Sequence, residues 1–108
     1  MPYLTPLAKI SCPVLVTAAG ERARIRFMEF FASNIRNPHT RRAYVRAVVD
    51  FMDWCKTEAH ISSLVDIEPL HVAAWIEMQS RRLSAPSVKQ HLAAIRQLFD
   101  WLVIGQIV

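Results

Sequence analysis

The feature that most constrains the fold is a polar residue followed closely by proline, which occurs three times, each time ahead of a segment with helical apolar spacing. The three signatures are Asn37-Pro38, Glu68-Pro69 and Ser84-Ala85-Pro86. A polar side chain caps the free N–H groups of a first helical turn, and proline at the first helical position sacrifices no hydrogen bond. The signatures predict helices over about 38–58, 69–82 and 86–104.

Apolar residues recur at three- and four-residue spacing in these segments and in a further one, over about 21–35. The residues predicted to form the apolar stripes are Ile25, Met28, Phe31, Ala32 and Ile35; Tyr44, Ala47, Val48, Phe51, Met52 and Cys55; Val72, Trp75, Ile76 and Gln79; and Val88, Leu92, Ile95, Phe99 and Leu102. Gly105 stands where a helix C-terminus often has glycine. The chain has only two glycines, too few for a Gly-rich phosphate loop or a sandwich of tight turns. The sequence therefore predicts an all-α domain, a compact four-helix bundle.

Residues 1–20 contain three prolines and one glycine and show no sustained period, so we expect a flexible, poorly ordered arm or linker there. The apolar stretch 13–19 is too short to span a bilayer and follows no basic segment, which predicts neither a membrane anchor nor a secretory signal. Cys12 and Cys55 have no metal-ligand spacing around them and favour a reduced, cytoplasmic setting.

Charge is segregated along the chain. The net charge is +4, from 13 basic and 9 acidic residues, and ten of the basic residues are arginine, the residue type best suited to phosphate. Residues 22–46 hold seven Arg and one acid, 47–80 hold one Lys and six acids, and 81–96 hold four basic residues and no acid. If the two basic segments lie side by side, they form one cationic surface, as in proteins that bind a phosphate backbone.

Individual positions support an anionic partner. Basic residues crowd the start of the helix predicted over 38–58, where the helix dipole favours acidic ones, and a bound polyanion would relieve this misfit. On the helix predicted over 86–104, Lys89, Ala93, Arg96, Gln97 and Asp100 lie opposite the apolar stripe. Ser87 and Gln90 add hydrogen-bonding groups near its first turn, whose free N–H groups suit a phosphate.

Three segments in this order resemble the core-binding, SAM-like N-terminal domain of tyrosine recombinases of the phage-integrase type: NPHTRRAYVRAVVDFMDWC, LVDIEPLHVAAWIEM and SAPSVKQHLAAIRQLFDWLVIGQIV. The resemblance covers about residues 21–108 and implies an orthogonal SAM-like bundle that forms half of a clamp around duplex DNA at a recombination site. It implies DNA contacts from Thr40, Arg41, Arg42, Tyr44, Arg46, Ser87, Lys89, Gln90 and Arg96. Tyr44 is equally well explained as a core residue whose hydroxyl reaches the edge.

The catalytic machinery of such recombinases lies in a separate C-terminal domain, and nothing here resembles its H-x-x-R motif with a downstream Tyr nucleophile. We therefore expect no enzymatic activity from this chain, no metal and no cofactor. The partners that the resemblance implies are double-stranded DNA, the catalytic domain of the same recombinase and neighbouring protomers on DNA, in a bacterial or phage cytoplasm and away from membranes. The Phe-rich helix over 21–35 is a candidate for protomer contacts, although its own bundle accounts for most of those rings.

Two other function classes fit the same size and charge pattern. A helical protein–protein interaction module would bind with little preference for polyanions, whereas a DNA-binding domain loses affinity steeply with salt. A small helix-turn-helix regulator would use RRLSAPSVKQH as its turn and the last helix alone for recognition. The four histidines, at 39, 60, 71 and 91, lie on different predicted elements without an i, i+4 pair and do not indicate a metal site.

Overall fold

The computed structural model describes residues 12–108, and within them it is all-helical and has no strand. The elements are α1 (Val14–Ala18), α2 (Glu21–Ser33), α3 (Pro38–Thr57), a 3-10 turn (Leu64–Asp66), α4 (Pro69–Ser80) and α5 (Ala85–Ile104). The predicted all-α bundle is confirmed, and the four long helices end within two residues of their expected bounds. No helix in this range is both long and apolar enough to cross a membrane.

The three helices start at the cap-and-proline signatures, but the predicted side-chain cap is absent at α5, where Ser84 makes no capping hydrogen bond within residues 12–108. The Asn37 side chain accepts hydrogen bonds from the backbone N–H groups of His39, at 2.8 Å, and Thr40, at 3.3 Å. At α4 the backbone N–H of Glu68 donates to Nδ1 of His71 at 2.9 Å, so a histidine takes part in that cap. Proline occupies the first turn of α3, α4 and α5. Because capping is local chemistry, these boundaries are visible in sequence.

The expectation of an unstructured arm is wrong for its last part. Residues 14–18 form α1, and Leu15 and Val16 are almost fully buried against α2 and α3. A five-residue helix is not stable in isolation, and the packing of its two apolar side chains stabilises it. The local sequence pattern therefore does not predict it. Residues 1–11, the rest of the predicted arm, lie outside the described residues.

The core has α3 at its centre, where all six residues of the predicted stripe are buried. On α2 the predicted stripe is wrong in part: Ile25 is 47% exposed and Ala32 is exposed. The buried face of α2 instead consists of Ala23, Phe27, Phe30 and Phe31. Two pairs among its three rings meet edge to face, with centroids about 5 Å apart, because the helix turns its largest apolar side chains inward.

The end of α5 is fastened to α2 by reciprocal contacts. The indole N–H of Trp101 donates to the Arg26 carbonyl at 2.8 Å, and the Arg26 guanidinium lies 3.4 Å from the centre of the indole ring and donates to the Trp101 carbonyl. Arg22 donates to the Gly105 carbonyl at 2.7 Å. A Cβ at Gly105 would collide with the Arg26 side chain, so close approach, and not a positive φ, accounts for glycine here.

On its other flank α5 faces α4 across an open apolar groove of about 490 Å³. The buried residues of α5 are Ala94, Ile95, Leu98 and Leu102. Val88, Leu92 and Phe99, which the predicted stripe placed in the core, are only half-buried. Leu92 and Phe99 line the groove together with Val72 and Ile76 of α4, so the apolar surface of α5 is wider than its buried core.

Candidate nucleic-acid interface

The two helices that carry the predicted DNA contacts, α3 and α5, lie side by side and antiparallel. Gln97 of α5 donates from Nε2 to the Tyr44 hydroxyl of α3 at 3.3 Å. Six residues further along α3, Asp50 is close enough for its charge to act on His91, six residues back along α5. The N-terminal half of α3 therefore lies beside the C-terminal half of α5.

We call the outward surface of this pair the α3–α5 face. Its exposed members on α3 are His39, Arg42, Arg46, Asp50 and Asp53, and those on α5 are Lys89, Gln90, Arg96, Gln97 and Asp100. Residues three, four or seven apart on a helix share a face, so the α3 set forms one continuous strip and the α5 set a broader one. Arg96 and Asp100 lie at the edge of the α5 strip, where they also line the groove towards α4. The face combines four cations with exposed amides, and three carboxylates limit its positive region.

The four cations of this face are Arg42, Arg46, Lys89 and Arg96. The ion pairs formed between residues 12 and 108, Arg24–Glu21 and Arg81–Glu77, involve none of them, and none makes a side-chain hydrogen bond within that range. Arg46 follows Tyr44 by two residues on α3, Arg96 directly precedes Gln97 on α5, and Lys89 lies about 10 Å nearer the start of α5 than Arg96. These cations are therefore available to an external anion.

The other predicted contacts are less open. Tyr44 is 9% exposed, and its ring lies in the core while its hydroxyl accepts from Gln97, as the alternative interpretation of this residue required. Thr40 is half-buried in the first turn of α3. Ser87 is half-buried and accepts a hydrogen bond from the Ser84 hydroxyl at 3.1 Å. Gln97 was not among the predicted contacts, although its position seven residues after Gln90 places it on the same face.

Comparison with known proteins shows the family of this chain. The family model described as "Phage integrase, N-terminal SAM-like domain" matches residues 25–105, which include most of α2 and all of α3, α4 and α5. The chain belongs to this family. The match confirms the resemblance drawn from the sequence. No curated protein and no solved structure gives a significant match.

Arg41 has a structural role in this SAM-like domain. Its Nε donates to the carbonyls of Phe31, at 3.0 Å, and Ile35, at 3.2 Å, and its Nη2 donates to Ile35 at 2.8 Å. These carbonyls belong to the end of α2 and the turn after it, where backbone acceptors have no partner in the helix. Arg41 thus fixes the corner between α2 and α3, whereas its neighbour Arg42 points outward.

Arg41→Ala is expected to destabilise the SAM-like domain by about 1–3 kcal/mol, because it leaves partly buried carbonyls unpaired. The free energy of unfolding, from urea titrations followed by circular dichroism, measures the effect. Arg42→Ala is the matched control, and we expect it to unfold within about 0.5 kcal/mol of the wild type because its side chain is exposed and unpaired. Equal stability of the two variants would contradict the capping role of Arg41.

His91 lies beneath the α3–α5 face in an aromatic cluster. Its ring stacks on Trp75 with centroids 5.5 Å apart, and its buried Nδ1 has no hydrogen-bond partner within the described residues. Burial lowers the pKa of His91, the Arg82 charge lowers this pKa further, and the Asp50 carboxylate opposes the shift. The folded domain therefore prefers the neutral imidazole.

Folding stability is expected to decrease below about pH 6.5, the ordinary pKa of histidine. Because the folded pKa of His91 is lowered, the unfolded chain binds more protons, so the His91 contribution is complete above that pH and is lost as the pH falls through the folded pKa. Urea midpoints at pH 7.5 and 5.5 measure this loss. His91→Phe keeps the stacking and should reduce the difference, whereas the exposed His39→Gln should not. An undiminished difference in His91→Phe would refute the assignment.

The two thiols show no activated chemistry. Burial raises the pKa of Cys55 to about 12, which keeps it protonated and unreactive at neutral pH, and it raises the pKa of Cys12 as well. Cys55 packs in the core as a small apolar residue. Between residues 12 and 108, no group of three or more His, Cys, Asp or Glu side chains is arranged to hold a metal ion.

Proposed function

We propose that this SAM-like domain binds the backbone of double-stranded DNA through the α3–α5 face and forms one half of a clamp at the site of a tyrosine recombinase. The observation that carries the proposal is the set of four exposed cations on one face, none of which has a partner among residues 12–108. Folding alone gives no reason to gather unpaired arginines there. A phosphate backbone supplies their missing partners.

The position of these charges on the helices strengthens the argument. Arg42 lies in the first two turns of α3, where the helix dipole disfavours a cation, and no acidic residue occupies the first turn. A nearby phosphate would pair with this guanidinium and also suit the positive end of the helix. The domain is thus better matched to a bound polyanion than to free solution.

In this proposal strand cleavage belongs to a catalytic domain of the same recombinase. Of the two tyrosines in the chain, Tyr3 lies outside the described residues, and Tyr44 is buried with its hydroxyl bonded to Gln97, which is unsuited to a nucleophile. The domain supplies binding and orientation, in a bacterial or phage cytoplasm. The second half of the clamp and neighbouring protomers would supply the remaining affinity and the order of assembly.

Fluorescence anisotropy with a labelled 20-base-pair duplex tests the proposal. A domain with a few phosphate contacts binds in the range of about 10⁻⁴–10⁻⁶ M, and four contacts predict a slope of log K against log salt of about −3 to −4. An acidic protein lacking duplex geometry serves as the competitor control and should displace little DNA. Absence of duplex binding at low salt would refute the proposal.

A protein–protein interaction module is the second candidate, and the groove between α4 and α5 favours it. This groove is lined mainly by apolar side chains, and the large side chain of Leu70 nearby is 71% exposed. Exposed apolar surface of this kind often marks a protein contact. The same titration separates the two functions, because an interaction module would show no steep loss of duplex binding with salt.

A further inference from the structure

The hydrogen bond between Tyr44 and Gln97 joins a rigid core residue to an exposed amide. The Tyr44 ring is packed among core residues, so its hydroxyl occupies a fixed position at the seam between α3 and α5. Gln97 donates to that hydroxyl through Nε2 at 3.3 Å while its residue remains exposed on the α3–α5 face. An exposed glutamine normally samples many rotamers, whereas this contact restrains its amide group.

The restraint leaves a defined pair of groups facing outward. A glutamine amide has two N–H donors and one carbonyl acceptor. With one N–H bound to Tyr44, the second N–H and Oε1 have no partner among residues 12–108. One donor beside one acceptor is the combination that binds adenine in the major groove, where N7 accepts and the N6 amino group donates.

The surroundings of Gln97 allow a base edge to come close. One turn earlier on the same strip of α5 is Ala93, whose small side chain adds little bulk. Arg96 directly precedes Gln97 on α5 and Arg46 follows Tyr44 by two residues on α3; both side chains are exposed and have no ion-pair partner among residues 12–108, so they are available to phosphates. An exposed amide with a small neighbour and available cations on the same pair of helices is suited to insertion into a groove.

We propose that Gln97, positioned by Tyr44, recognises adenine in the major groove and gives the α3–α5 face a base preference. This inference rests on the proposed function, because it requires the face to lie against duplex DNA. Tyr44 acts as a positioning residue: it contacts no DNA and orders the amide before binding. Ordering in advance removes part of the entropic cost of fixing a flexible side chain on binding.

The test uses the domain itself and a 20-base-pair duplex library with randomised central positions. The wild type should enrich A·T at one position, and the best duplex should bind roughly tenfold more tightly than the same duplex with that pair changed to G·C. Gln97→Ala should reduce this ratio to about one while the salt slope stays unchanged. Asn34→Ala, which removes an exposed amide at the end of α2, is the control and should keep the full ratio.

One further protein variant and one modified duplex separate base recognition by Gln97 from its positioning by Tyr44. Tyr44→Phe keeps the core ring and removes the acceptor, so it should lower the base preference severalfold while the domain stays folded by circular dichroism. A duplex carrying 7-deazaadenine at the selected position lacks the N7 acceptor and should lose the preference for the wild type.

The outcomes distinguish this inference from the function on which it rests. Salt-dependent duplex binding whose base preference survives in Gln97→Ala would overturn the inference and leave the proposed function standing. Full preference in Tyr44→Phe would overturn the positioning role. Absence of any duplex binding at low salt would refute the proposed function itself.

Discussion

The double variant Arg42→Ala/Arg46→Ala is expected to bind duplex DNA about thirtyfold more weakly than the wild type at low salt. Both side chains are exposed on the outward strip of α3 and have no ion-pair partner among residues 12–108. Each contact with a phosphate at an exposed site contributes up to about 1 kcal/mol, and two such losses correspond to about thirtyfold in affinity. Each lost phosphate contact means that about one counterion fewer is released from the DNA on binding. The slope of log K against log salt should therefore become shallower by about 1.8.

The matched control removes the same charge elsewhere. Arg24→Ala/Arg81→Ala also lowers the net charge from +4 to +2, and both of these arginines lie in surface ion pairs, one on α2 and one just after α4. If general attraction between a basic protein and DNA accounted for binding, the two double variants would lose affinity equally. Anisotropy titrations at several salt concentrations measure both effects, and an equal loss would contradict the assignment of the α3–α5 face.

How far sequence predicts this fold depends on whether the determinants of an element are local. The start of α3 follows from Asn37 and Pro38, which act on adjacent backbone groups, and its six-residue apolar stripe is long enough to define one face. The elements α1 and α2 are different. The burial of Leu15, and the choice of Phe27 and Phe30 over Ile25 on α2, depend on which helices pack alongside, and no local pattern contains that information.

The same distinction applies to the candidate interface. Arg42, Arg46 and Lys89 are exposed in the structure, as expected for residues opposite an apolar stripe. Arg41 follows the same sequence pattern as Arg42, but its acceptors at the end of α2 become neighbours only after the chain has turned. The restraint of Gln97 likewise requires α3 and α5 to be antiparallel. For these charged residues exposure is therefore predictable from helical spacing, whereas the partners of a residue on another element are not.

The packing beneath the interface makes Phe51 one of the residues whose loss should cost the most stability. Its ring is fully buried in the middle of α3 and lies 5.4 Å from the Trp75 ring of α4 and 6.4 Å from the Trp54 ring. Trp75 in turn stacks on His91 of α5, so these aromatic contacts connect three helices. Phe51 therefore supports the relative placement of α3 and α5 on which the cationic face depends.

Phe51→Ala is expected to reduce the free energy of unfolding by about 3–5 kcal/mol, through lost burial and the cavity that the ring leaves. Domains of this size are stable by only about 5–15 kcal/mol, so the variant should be close to unfolded at 37 °C and should lose duplex binding with its structure. Urea unfolding followed by tryptophan fluorescence measures the change. Leu70→Ala removes a large apolar side chain that is 71% exposed and should leave the free energy of unfolding within about 0.5 kcal/mol of the wild type. The Phe51 ring packs against both tryptophan rings, so the surrounding side chains have little freedom to fill the space that it leaves. A loss below about 1 kcal/mol in Phe51→Ala would contradict this role, because it would mean that the junction of the three helices closes around the missing ring.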